Sequence, residues 1–186
     1  MRAKLTMALA AACALLLAWQ VERAGPGAPQ PQAGLTLTGD AAAGYLFDAA
    51  RAGDVEVLAG LLDAGVPVEA RDAKGYSALI LAAYHGHLPA VELLLARGAD
   101  ACAGDARGNT AMMGAAFKGY ETVVTRLGKE ACAVDQANQQ GRTALMFASL
   151  VGKTGIIRLL EDLGADASRR DTEGRTADDW ARTQGL

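Results

Sequence analysis

The sequence predicts an all-α repeat solenoid, and three observations carry that expectation. Several columns of residues recur with a period of 33 between Leu46 and Leu186, the mark of a repeat architecture. Each period holds two short apolar stretches of helical length, separated and ended by glycine. Hydrophobic residues make up 51% of the 186 and charged residues 21%, which is enough apolar material for a packed core.

The chain opens on MRAKLTMALAAACALLLAWQVERA, residues 1–24. Arg2 and Lys4 give it a positive start, and Leu5 to Trp19 is a 15-residue run whose sole polar member is Thr6. That is the pattern of a secretory signal peptide. The run is shorter than the roughly 20 residues of a spanning helix, so an uncleaved membrane anchor is the weaker alternative. Ala24 is the candidate cleavage point, although Glu22 fits a small-residue motif poorly. The expected destination is the periplasm of a bacterium. Gly25 to Gly39 holds three of the five prolines and no charge. Residues 25–42 therefore read as a flexible Pro/Gly/Gln linker, and 43–186 as the folded domain.

Within the domain, Asp72, Asp105, Asn138 and Asp171 each stand three residues before Gly75, Gly108, Gly141 and Gly174. Asp/Asn-x-x-Gly is a turn, in which the side chain accepts from backbone N–H groups and glycine takes positive φ. Ser77, Thr110, Thr143 and Thr176 follow two residues later and suit a helix N-cap. A short alanine-rich helix comes next, such as Ala78 to Tyr84, ended by Gly86. A second helix follows, with Val91, Leu93, Leu94 and Leu95 apolar, and Gly98 at its C-terminus.

At these residues the chain resembles the ankyrin repeat, whose signature is D-x-x-G-x-T-P-L-H-x-A-A-x-x-G followed by L-L-x-x-G-A-D. The resemblance implies helix-turn-helix units joined by β-hairpin-like turns, about four repeats plus a partial C-terminal cap. Their expected bounds are 46–70, 71–103, 104–136, 137–168 and the partial 169–186. Asp178 and Asp179 replace the apolar pair Leu145 and Met146, giving the polar outer face that a terminal repeat needs. The chain departs from the signature in two columns. Alanine (Ala78, Ala111, Ala144, Ala177) stands for the proline, and Ile80, Met113, Met146 and Asp179 stand for the histidine. Apolar stacking is expected there instead of a histidine ladder. Repeat three reads as the weakest, because Arg126 and Gly128 replace Leu93 and Leu95, and an interior helix glycine costs about 1 kcal/mol. The runs around Thr110 and Thr143 are similar to the small exported ankyrin proteins of Gram-negative bacteria, some of which are associated with catalases and peroxide defence.

Charge narrows the function classes. Lys and Arg number 18 against 21 Asp and Glu; without Arg2, Lys4, Glu22 and Arg23 the balance is 15 against 20, or −5. A mildly acidic chain with 5% aromatics lacks the basic, stacking surface that nucleic acid requires. Two histidines, His85 and His87, leave little for acid–base chemistry, and with no third ligand nearby they do not make a zinc site. No metal or cofactor is expected.

The resemblance places partner contacts on hairpin tips and on the exposed ends of the first helices. Tip positions are Lys74 and Tyr76, Arg107 and Asn109, Gln140 and Arg142, Glu173 and Arg175. The partner-binding set is Tyr76, Tyr84, His85, Asn109, Phe117, Lys118, Arg142 and Leu150. Within it Tyr84, Phe117 and Leu150 share one column and should line up as an apolar ridge. Cys102 and Cys132 are the two cysteines that remain after export, three columns apart in adjacent repeats. Equivalent positions in neighbouring repeats lie about 10 Å apart, and a disulfide needs Cα atoms within about 7 Å. The offset decides between a bridge and two buried thiols.

The expected function is that of an exported, monomeric, non-enzymatic module docking a protein on its concave face, with an oxidative-stress enzyme of catalase type as one partner class. An immunity-type inhibitor of a toxic exported enzyme is the second reading. A stress enzyme using Cys102, Cys132 or His85 is the third.

Overall fold

The computed structural model describes residues 39–132, 134–183 and 185. The expected signal peptide, and the linker up to residue 38, lie outside the described residues. Among those described there are nine helices and no strand. They are α1 (Gly39–Ala52), α2 (Val55–Asp63), α3 (Ala78–His85), α4 (Leu88–Ala96), α5 (Ala111–Lys118), α6 (Glu121–Leu127), α7 (Ala144–Leu150), α8 (Thr154–Asp162) and α9 (Ala177–Arg182). Odd-numbered helices pack on one another in chain order as one row, and α2, α4, α6 and α8 form a second row behind them. The result is an all-helical repeat solenoid. The first helix starts earlier than expected: residues 39–42 are helical rather than linker, and Ala42 is buried.

The turn chemistry repeats atom for atom. Asp72 Oδ1 accepts from the backbone N–H groups of Lys74 and Tyr76, both at 2.9 Å. Asp105, Asn138 and Asp171 accept in the same way from the residues two and four further on, at 2.8 to 3.0 Å. The tips are also tied to each other. Ala106 N donates to Lys74 O at 3.2 Å, Gln139 N to Arg107 O at 3.0 Å, and Thr172 N to Gln140 O at 2.9 Å. Gly75, with φ of 78°, is needed twice over, since a Cβ there would lie 2.5 Å from Ala106 N. Asn at 138 has its own reason: its Nδ2 donates to Asn109 Oδ1 at 2.7 Å, which aspartate could not do.

The first-row helices α3, α5, α7 and α9 are each capped by the hydroxyl before them. Ser77, Thr110, Thr143 and Thr176 accept from the N–H of Ile80, Met113, Met146 and Asp179. Small residues then let the first-row backbones close up: Ala82, Ala115 and Ala148 are completely buried. Ile80, Met113 and Met146 are buried between repeats, the apolar stacking expected of that column. In the second row Val91 and Val124, one period apart, are both completely buried, and Leu94, Leu127 and Leu160 form a neighbouring buried column. Asp178 is exposed and Asp179 caps Thr176, so the last repeat turns polar groups outward.

Repeat three is built differently from its expected weak form. Gly128 is the C-cap of α6, not an interior residue, and the space its missing Cβ leaves is filled by Leu163 of the next repeat, 2.7 Å away. Arg126 pairs with Glu130, three residues past the end of the helix. Beyond that cap, Cys132 is bonded to Cys102, with the two Cα atoms 5.3 Å apart. The column offset thus brings the pair well inside bridging range.

Candidate functional site

Along the first row, the helices and hairpin tips of repeats one to four enclose a groove of about 620 Å³. Its floor is apolar because the column that faces it is Ile80 and Met113, with Leu81 and Gly114 beside them. Tyr76 and Asn109 approach from the tips, and Tyr84, His85 and Phe117 from the helix ends. Five of the eight expected contact residues therefore share one concavity. Tyr84 is 39% exposed, while Phe117 and Tyr76 are half-buried.

Three expected residues do not line it. Leu150 packs half-buried against the core rather than extending the ridge. Its place is taken by Phe147, one turn earlier on α7, whose ring meets Phe117 edge to face at 6.4 Å and 87°. Arg142 is drawn away toward the C-terminal repeat, where its guanidinium lies over the Trp180 ring at 4.6 Å. Lys118 stays at the rim, its ammonium 5.3 Å from the centre of the Tyr84 ring. The column Leu81, Gly114, Phe147 held a usable signal. A glycine between two large apolar residues leaves room, and here the space beside Gly114 is occupied by the Tyr84 ring at 3.5 Å.

Charge at the groove is arranged by the turns. Asp72 accepts from two backbone N–H groups through one oxygen and from Arg51 through the other at 3.4 Å. Asp105 is engaged likewise by its turn and by Asn109 Nδ2 at 3.0 Å. His85 is held below the ordinary imidazole value by partial burial, and also by the charges of His87, Lys118 and Arg51. His87 serves the fold: its Nε2 lies 2.9 Å from Arg51 O, and its ring covers Gly53. Tyr120 and Lys153 lie over Gly86 and Gly119 in the same way, one repeat apart.

The groove offers an apolar floor, aromatic walls and a polar rim. Among the described residues no group of three His, Cys, Asp or Glu could hold one metal ion. Among the same residues no helix is long and apolar enough to cross a membrane. Cys102 and Cys132 lie apart from the groove.

The family profile of ankyrin repeats, in three copies, matches residues 46–138. A protein of Pseudomonas aeruginosa named as an ankyrin repeat protein is 50% identical over 48 residues, which cover 26% of this chain and 28% of that protein. The chain thus spans little more than a quarter of that relative's length.

Proposed function

Because the chain belongs to the ankyrin-repeat family, we propose that it holds one partner protein in the groove between Tyr76 and Phe147 and does not transform it. The observation that carries this is the aromatic set lining the groove, exposed Tyr84 with half-buried Phe117 and Phe147, standing on an apolar floor beside polar tips. An apolar centre with a polar rim is the anatomy of a protein interface. We propose further that the module acts as a monomer after export. Two features support export: the apolar run at the N-terminus and the Cys102–Cys132 bond, which persists in oxidising compartments. Its resemblance to exported bacterial members directs the search for a partner to exported proteins, oxidative-stress enzymes among them. A thiol-based activity would first require that bond to open.

Affinity capture from a periplasmic extract tests the docking role. The chain should retain a protein that Phe117→Ala and Phe147→Ala variants, still folded by circular dichroism, release. Equal retention by both variants would remove the groove from consideration.

A further inference from the structure

We infer that the segment bound in this groove is acidic, with one large apolar side chain flanked by Asp or Glu; this rests on the docking role proposed above. The whole chain is net negative, so a negative partner is not what its overall charge suggests. The local balance is opposite. Every carboxylate lining the groove is engaged: Asp72 and Asp105 spend their oxygens on turn N–H groups, Arg51 and Asn109. Of the cations, Arg51 is paired with Asp48 and Asp72, but three others form no ion pair among the described residues, the Lys118 ammonium lying over the Tyr84 ring. Lys74 lines the groove, Arg107 stands exposed on the next tip and Lys118 at the rim. A bound acidic segment would find charge partners along two successive repeats.

The floor supplies the other half of the recognition. Between Tyr84 and Phe147 the floor is Met113 and Gly114, and the neighbouring Thr110 hydroxyl already accepts from Met113 N, so what enters should be apolar. The volume of about 620 Å³ lies within the ordinary range of binding clefts and leaves room for one anchor with its neighbours. Three cations on a mildly acidic chain are too few for a phosphate backbone, which favours a carboxylate-bearing peptide.

Selection from a random dodecapeptide library against the full chain tests the inference. Enriched peptides should be net negative and carry a single Phe, Leu, Trp or Met. A synthetic copy should bind, weaken with added salt and with Ala at the anchor, and lose about tenfold against a Lys74→Glu, Lys118→Glu double variant. Enrichment of basic or neutral peptides would overturn the inference, as would affinity that ignores the charge reversal. So would a library that yields no binder, or self-association of the chain through the groove. The capture experiment with Phe117→Ala reports on docking independently, because a partner of another charge would still be retained by the groove and released by that variant.

Discussion

Asp171 shows how much one side chain carries at the end of the solenoid. It is almost fully buried, accepts from the backbone of Glu173 and Arg175, and its second oxygen takes Arg175 Nε at 3.1 Å and the Trp180 indole N–H at 3.0 Å. Burial alone would raise its carboxyl pKa, but these hydrogen bonds outweigh burial and hold it below the ordinary value. Stability from a depressed carboxylate is complete above the unfolded value of about 3.9 and is lost as pH falls through the folded one. Asp171→Ala should therefore cost about 3 kcal/mol in urea unfolding at neutral pH, and the difference from wild type should shrink as pH falls below about 3.9. His85 runs the other way. Its folded pKa is depressed, so its neutral form is favoured, and stability should decline slightly as pH drops below about 6.5. His85→Gln should flatten that part of the pH–stability curve. At this scale the sequence was legible wherever chemistry is local: the Asx turns and hydroxyl caps reach only two to four residues along the chain. The Trp180–Asp171 bond and the swing of Arg142 onto Trp180 were not, because they join side chains whose meeting depends on how a helix docks.

Between helices, contact is set by what glycine leaves open. The second row starts each repeat with a large side chain laid over a glycine of the preceding one, and at Gly86, φ 79°, a Cβ would lie 2.7 Å from the Tyr120 ring. Gly98 has similar φ, 85°, but nothing within 4 Å. Both sites tolerate alanine poorly on backbone grounds, at about 1 kcal/mol. Gly86→Ala should cost at least about 1 kcal/mol more than Gly98→Ala, the excess measuring the ring that must move. Equal losses in thermal melts would mean that Tyr120 shifts freely. The repeat columns made the glycines legible as turns and helix ends, whereas their second use as seats for the next repeat emerges only when repeats are stacked. Phe147 was legible only through the glycine in its column: Leu, Gly, Phe carries no apolar repeat, and that the room at Gly114 is taken by the Tyr84 ring emerges only when repeats are stacked.

Stability in a solenoid is close to a sum of repeat and neighbour contributions, so its distribution along the whole molecule can be argued from the ends inward. The last repeat is a single helix, α9, whose packing partner is α7. Repeats two and three contribute the fully buried columns Val91 with Val124 and Leu94 with Leu127, and the bond from Cys102 to Cys132 closes a separation of 30 residues across them. Closing a loop of that length removes unfolded-state entropy worth about 3–4 kcal/mol in the chain-entropy account. The repeat that reads as weakest in sequence, with Arg126 and Gly128 in apolar columns, is thus the one tied to its neighbour. Native-state hydrogen exchange should find the amides of α4 and α6 among the slowest and those of α9 the fastest. Reduction should speed exchange in α6 more than in α8, which lies beyond the bridged segment, and should lower global stability by about the loop-closure amount. Exchange in α6 that ignores reductant would mean that Val123, Val124 and Leu127 hold repeat three by packing alone.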